Sequence, residues 1–445
     1  MFNQIAEKFN VYKNYFIELI VLSFPLLIGN LGHNLIGFTD ILVISKYNIN
    51  SLAAASISNA ILFTILILGI GVIDAVFIIL SNKRGAKEKT KKYLLSSLVF
   101  SFLFSIVFTL ICYSTVFLVP YMGFEQHLLS DIKAYISIVS FSLFAMFLFQ
   151  GMRCFLLSFE IVKLPNMIIL VSVLFNLIFD IVFVFGCGSI PAMGVVGAAI
   201  ATLLVRVLSA LILFFYIYKF IDWKSKIDFD YMKNVLKVGF PIGFALMFEF
   251  LAFNIITILV GREAGILSAT HNILVSLSSL TFMIPLTIST AVSVKVAYFY
   301  GALKKLEIKR YSLAALIIGV GFMAFVSLIL MLFPTQIIKL YTDNQQVLSI
   351  ILPIIPIVAV YQVFDGLQAV ASGILKGFKK TKIVSAGVLI AYWVVGMPVA
   401  FLCVAKYNMS LKGYWIALAV SILVMAIVFS TLSLDKYKKL PENNI

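Results

Sequence analysis

Charge is scarce in this chain. Only 12% of its residues are Asp, Glu, Lys or Arg, against about 25% in a soluble domain. A water-soluble globular protein is excluded on that ground. Cysteine is scarce as well. Cys112, Cys154, Cys187 and Cys403 lie scattered among apolar neighbours, with no CxxC or Cys/His spacing. That excludes a disulfide framework and a zinc site, and leaves four small hydrophobes. No basic patch is interleaved with exposed aromatics, so the net charge of +15 does not point to a nucleic-acid partner. The opening MFNQIAEKFNVYKNYF lacks an apolar core before a small-residue cleavage site. No signal peptide is expected there, and the first apolar run is expected to be the first membrane span.

Hydrophobic residues make up 62% of the chain, and the mean hydropathy is +1.10. A spanning helix needs about 20 mostly apolar residues. Such runs lie at 15–44, 52–80, 94–119, 134–157, 166–186, 194–218, 239–260, 266–299, 312–333, 349–374, 383–404 and 413–433. The eighth is long for one span, so it is tilted, bent at Pro285, or extends past the bilayer. Of the 34 Lys and Arg, only Lys46, Lys133, Arg262, Lys339, Lys406 and Lys412 fall in odd-numbered loops, and Arg206 falls within a span. The positive-inside rule then puts both termini in the cytoplasm. The cluster KRGAKEKTKK (83–92) reads as a topology signal.

The chain also repeats itself. Pro25 of SFPLLIG returns as Pro241 of GFPIGFA, 216 residues later, and Gly85 returns as Gly301 at the same offset. GAAIA (197–201) answers GYWIA (413–417), again 216 on, and FQG (149–151) answers FDG (364–366), 215 on. Six spans per repeat is an even number, so the halves share one orientation. They are expected to be related by an axis along the membrane normal, as in some secondary transporters. The boundaries expected are an N-lobe over 1–219, a charged cytoplasmic linker over 220–234, and a C-lobe over 235–445.

Besides Glu18 near the start of the first run, five acids fall within spans: Asp40, Asp74, Asp180, Glu249 and Asp365. Unpaired in lipid they would together cost roughly a dozen kcal/mol or more, so they face protein or water. Four belong to polar stripes at helical spacing. Asn30, His33, Asn34, Gly37 and Asp40 share one face of the first span, and Asn176 and Asp180 are adjacent on the fifth. Glu249, Phe253 and Thr257 line up on the seventh, as do Tyr361, Asp365, Gln368 and Ser372 on the tenth. One reading has these acids only tie the bundle together. The other, favoured because four helices carry the pattern, is a hydrated cavity whose carboxylates bind cations or exchange protons. Burial and a neighbouring carboxylate both favour the neutral form of such groups. Asp74 has few polar companions and reads as locally paired or close to a membrane face. His33 and His271 read as hydrogen-bonding residues. Pro25 and Pro241 lie early in their helices and favour a bend.

In this order, these residues resemble the multidrug and toxic compound extrusion (MATE) transporters. The resemblance rests on SFPLLIGN with Asp40, NLIFD followed by GVVGAAIAT, VGFPIGFALMFEF, AVSVKVAYFYGA and YQVFDGLQAVASGILKG. It covers nearly the whole chain. It implies an all-α membrane protein of twelve helices, in two pseudo-symmetric six-helix lobes that form a V around a central cavity. It implies export of amphipathic, often cationic compounds by antiport with H⁺ or Na⁺, without a cofactor. One ion site in relatives maps onto Asp40, Asn176, Asp180 and Thr202, which would be the ligands if the ion is Na⁺. The longer loop CGSIPAM leaves Thr202 dependent on the alignment of GAAIAT. A second ion or substrate site maps onto Glu249, Tyr361 and Asp365, with Phe253 one turn after the Glu.

Asn34, Gln150 and Gln368 are expected at the substrate cavity, and Pro25 as a hinge. Gln150 stands at the repeat position of Asp365. A monomer in a prokaryotic plasma membrane, contacting small-molecule drugs and lipid, is expected. The nearest rival is a lipid-linked oligosaccharide flippase of the same superfamily. It would need several cavity cations, whereas only Arg206 lies well within a span and Arg153 and Lys295 lie near span ends. An intramembrane aspartyl protease is disfavoured, because GIGVID (69–74) has the wrong spacing for a GxGD motif.

Overall fold

The computed structural model describes residues 2–438, with side chains from 12 to 435. The chain ends, expected in the cytoplasm, lie outside the described residues. Twelve helices among those described are long and apolar enough to cross a membrane. In the first half they are α1 (Phe2–Tyr47), α2 (Ile49–Gly85), α3 (Tyr93–Leu118), α4 (Gln126–Ser158), α5 (Lys163–Phe185) and α6 (Val195–Tyr218). The second half has α7 (Phe229–Glu263), α8 (Gly265–Gly301), α9 (Lys305–Leu332), α10 (Ile355–Gly377), α11 (Thr381–Lys406) and α12 (Ser410–Lys438). Two short helices, Pro334–Lys339 and Gln345–Ile351, join α9 to α10. Each expected span falls within one of the twelve, apart from shifts at the ends.

α8 is one continuous helix with Pro285 inside it. Its 37 residues rise about 55 Å, so it outruns a hydrocarbon core of about 30 Å. α11 departs from α-helical geometry. Ile390–Gly396 and Leu402–Lys406 are π-helical, on either side of the α-helical turn Met397–Phe401, which carries Pro398. Pro398 withholds an N–H from the ladder, one of the recognised causes of such irregularity.

The chain forms two compact units. The first holds residues 25–80 and 87–243. The second holds the stretch up to Phe24, the segment Ser81–Ala86, and the chain from Phe244 onward. Units and sequence halves therefore coincide except at three helix ends. The start of α1 and the end of α2 belong with second-half helices, and the linker with the start of α7 belongs with first-half helices. The divisions in α1 and α7 fall at Pro25 and two residues past Pro241.

The first unit is built on small residues that let helices approach. Gly151 of α4 packs against Ser101 of α3, and Phe104, Phe108 and Phe147 close the gap beyond it with ring centroids 4.3 to 5.7 Å apart. The linker is held down where Asp228 N–H donates to Ser96 Oγ (2.9 Å) and Tyr231 OH meets Ser97 Oγ (2.7 Å).

In the second unit the repeat becomes a contact. Gly85 lies on the Tyr298 carbonyl and Gly301 on the Asn82 carbonyl, with no room for a Cβ at either. Asn82 and Tyr298 are themselves 216 apart, so the two contacts are repeats of one another. Beside them Lys295 Nζ donates to Glu18 Oε2 (2.7 Å), Tyr311 OH donates to the same oxygen (2.6 Å), and Tyr15 OH donates to Glu307 (3.0 Å). The core of this unit centres on Trp415, which is fully buried.

Candidate functional site

The first cluster is assembled by α1, α5 and α6. Gly29 of α1 leaves space filled by Asn166 of α5, and Gly32 leaves space filled by Ile169. Ten residues along from the first pair, Thr39 Oγ1 donates to Asn176 Oδ1 (2.8 Å). All three pairs keep the offset of 137 residues, so the helices run parallel in one register. That register carries Asn176 and Asp180 to the level of Asp40. Close approach through small residues is a common way of packing membrane helices.

A tight hairpin brings in α6. Gly186 (φ +82°) takes a conformation few other residues tolerate, and Cys187 and Ile190 pair across the turn. Gly197 rests on the Phe183 carbonyl. The CGSIPAM loop is thus a compact turn, and Thr202 Oγ1 donates to Asp40 Oδ2 at 2.9 Å.

Asp40, Asn176, Asp180 and Thr202 are all buried. The carboxyl groups of Asp40 and Asp180 face each other closely enough to interact directly. Among the described residues, no donor reaches Asp40 Oδ1 or either oxygen of Asp180, and Asn176 Nδ2 has no acceptor. Two ionised carboxylates cannot share such a site without a proton or cation between them. The donor set is all oxygen, which suits a hard cation rather than a thiophilic metal.

The second cluster lies on α7, α10 and α11. Tyr361, Asp365 and Gln368 are buried, and Gln368 Nε2 donates to Asp365 Oδ1 (3.0 Å). Glu249 accepts from Tyr392 OH (3.3 Å), and Trp393 Nε1 donates to the Phe248 carbonyl (3.2 Å). The Phe253 ring lies 6.0 Å from that of Tyr392, and the Tyr361 ring 5.6 Å from that of Trp415. His271 Nε2 meets Thr257 Oγ1 at 3.1 Å. Glu249, Tyr361, Asp365 and Phe253 are therefore gathered on one side of this unit.

Tyr392 is a residue the sequence reading missed. The 216 offset would have found it, since it places Tyr392 opposite Asn176. The same offset pairs Asp40 with Ile256, Asp180 with Gly396 and Thr202 with Leu418. Those four second-half residues come together at one place, with Ala252, Met397, Ala417 and Ser421, around a gap too narrow for water. The repeat has kept the geometry and exchanged a polar cluster for a mostly apolar packing site. The π-helical turn of α11 runs along its wall, and such turns recur at functional sites.

The remaining candidates are placed elsewhere. Gln150 is engaged inside the first unit: its Nε2 donates to Asp74 Oδ1 (2.8 Å) and its Oε1 accepts from Arg153 (3.3 Å). Asp74 also receives the Cys154 thiol at 3.5 Å. Asn34 is exposed on α1. Pro25 stands at the division between the units.

A duplicated twelve-helix bundle, with carboxylates buried inside each half, defines a polytopic membrane transporter. The MatE family model matches residues 25–182 and 241–402, once in each repeat and starting at the two equivalent prolines. The chain belongs to the MatE family. It is 30% identical to NorM of Bacillus subtilis (strain 168) over 413 residues, covering 90% of this chain and 91% of the relative. It is 28% identical to the multidrug resistance protein NorM of Vibrio cholerae, covering 94% of each. A crystal structure of MATE in the bent conformation matches the fold with a TM-score of 0.88 at 20% identity, covering 95% of each chain.

Proposed function

We propose that this chain is a multidrug efflux transporter that exports amphipathic and cationic compounds by antiport with H⁺ or Na⁺. The observation that carries the reading is the facing pair Asp40 and Asp180, buried together with three oxygens that no donor satisfies. An ion or proton taken up there removes one negative charge from the pair, and its release restores a charge that the apolar surroundings resist. That difference is what couples an ion to a conformational equilibrium. The division of the chain at Pro25 supports α1 as the element that responds, since the Asp40 end and the N-terminal end of this helix belong to different compact units. In the second half, Glu249 and Asp365 beside Phe253, Tyr361 and Tyr392 suit a lipophilic cation, by charge and cation–π attraction. The protein acts as a monomer in the plasma membrane, with its Lys- and Arg-rich loops and both termini in the cytoplasm.

The test is efflux of ethidium from vesicles containing the purified chain, under an imposed ΔpH or ΔNa⁺. One of the two gradients drives efflux in the wild type, and Asp40→Asn and Asp180→Asn each abolish the gradient dependence. Full gradient-driven efflux in both variants would overturn coupling at this pair.

A further inference from the structure

Among the described residues Arg206 is the one cation well inside a span, and neither cluster has used it. It lies on α6 one turn past Thr202. Thr202 and Ser209 are buried, while Leu204, Leu208, Leu211 and Phe215 are exposed. At 100° per residue, 202, 206 and 209 share one side of the helix, and the exposed apolar residues occupy the opposite side. Arg206 therefore faces the interior of the first unit, not lipid. The contacts of that side agree. Thr202 reaches Asp40 on α1, Ser209 Oγ meets Ser172 Oγ on α5 at 2.7 Å, and Arg206 Nη1 donates to Ser142 Oγ on α4 at 2.7 Å.

One hydrogen bond leaves most of a five-donor fork unused. Arg206 is only half-buried. Nε of Arg153 is sealed away without a hydrogen-bond partner among the described residues, but none of the Arg206 nitrogens is. Its spare donors thus reach accessible space on the same side as the acid pair. Its charge interacts with that of Asp40. Two turns back along α4 from Ser142 stands Tyr135, whose OH donates to Asn59 Oδ1 (3.3 Å). Helix α4 thus adds a further polar group to the face it turns inward. At the repeat position of Arg206 the second half has Ile422, so this feature belongs to the first unit alone.

A guanidinium with free parallel N–H groups binds a carboxylate in two-point fashion, which an ammonium cannot reproduce. We infer that Arg206 is a specificity-determining residue: it receives the carboxylate of substrates that carry both a cationic and an anionic group, while the acids of the same unit attract the cationic end. The inference rests on the export reading above, and it deepens it by assigning the contact to a substrate carboxylate to one residue of the first unit.

The test uses a matched pair of fluorescent dyes, a rhodamine with a free benzoate and the methyl ester of the same rhodamine. Equilibrium binding to the purified full-length chain is measured by fluorescence polarisation for wild type, R206K and R206Q. The readout is the affinity for the acid divided by that for the ester. R206Q lowers this ratio by about tenfold, the scale of a charge-assisted pair of hydrogen bonds. R206K keeps the charge but not the fork, and lowers it part of the way. An unchanged ratio in R206Q, even with both affinities shifted together, overturns the inference and leaves Arg206 as an internal counter-charge to Asp40. A ratio that moves in R206Q but not in R206K also overturns it, since a general field would then suffice. If R206Q does not fold, R206K alone decides. Gradient-driven efflux of the ester by wild type, measured separately in vesicles, reports on the export reading independently of the ratio.

Discussion

Thr202 donates its hydroxyl proton to Asp40 across 2.9 Å, joining the sixth helix to the first. That bond takes up one acceptor site on Oδ2 and leaves Oδ1 without a donor. Thr202→Val removes the donor and keeps the shape. A hydrogen bond to a charged group contributes about 1.5–3 kcal/mol, so the ion concentration that half-saturates efflux should shift by roughly ten- to a hundredfold. Thr202→Ser, which keeps the hydroxyl, should stay close to wild type. Titrating ΔpH- or ΔNa⁺-driven efflux against the ion measures both.

The parallel register of α1 on α5 depends on missing side chains at Gly29 and Gly32. Gly29→Leu drives a side chain into Asn166, which is itself tied to the Val162 carbonyl at 2.6 Å. Overpacking of this kind costs about 1–3 kcal/mol. Thermal unfolding in detergent should show the loss. Because the register also sets the level of Asp180 against Asp40, ion coupling should weaken in the protein that still folds. A variant with wild-type ion dependence would show that the register is not what aligns the two acids.

Lys295 is buried and reaches Glu18 at 2.7 Å, whereas the Glu18 side chain is half-exposed. The pair sits between the fully buried case, where removing one partner costs several kcal/mol, and the surface case, where it costs little. Lys295→Met should lower unfolding stability by about 1–3 kcal/mol. Glu18→Gln should cost less, since Gln still accepts from Tyr311 and Lys295 retains the Tyr311 ring 5.2 Å away. A melting-temperature comparison of the two variants checks the order.

Ile256, Tyr392, Gly396 and Leu418 pack around a gap too narrow for water. Leu418 is almost fully buried, and Leu418→Ala opens a cavity beside that gap. The cost should fall in the range of about 2–5 kcal/mol seen for such truncations. Leu418→Met preserves volume and should cost under about 1.5 kcal/mol. Equal stability of the two would mean that the α11 π-helical turn collapses to refill the space.

Much of the architecture was legible in the order of the residues. Twelve apolar runs, the 216-residue offset and the pairing of Asn176 with Asp180 are all local or periodic, and each reappears in the helices. The loop CGSIPAM was the uncertain point, because nothing in its composition says whether it lengthens the path from α5 to α6. Positive-φ glycines and the Gly197 contact make it short, and Thr202 meets Asp40. Tyr392 was hidden for a different reason. Its apolar surroundings in IAYWVVG conceal it, the repeat offset points to its position, and only the neighbourhood of Glu249 gives its hydroxyl a partner.

By itself, the sequence determined that this is a membrane-spanning, duplicated, all-helical protein with acids placed where lipid would penalise them. Those conclusions follow from transfer energies and helical period, which act on each residue along the chain. Only tertiary structure decided which helix ends join which compact unit, that Asp40 and Asp180 meet face to face, that the equivalent place in the second half is apolar, and that Arg206 turns its free donors inward. Those depend on which small residues let which helices approach, and helix contact is a property of pairs of segments far apart in the chain.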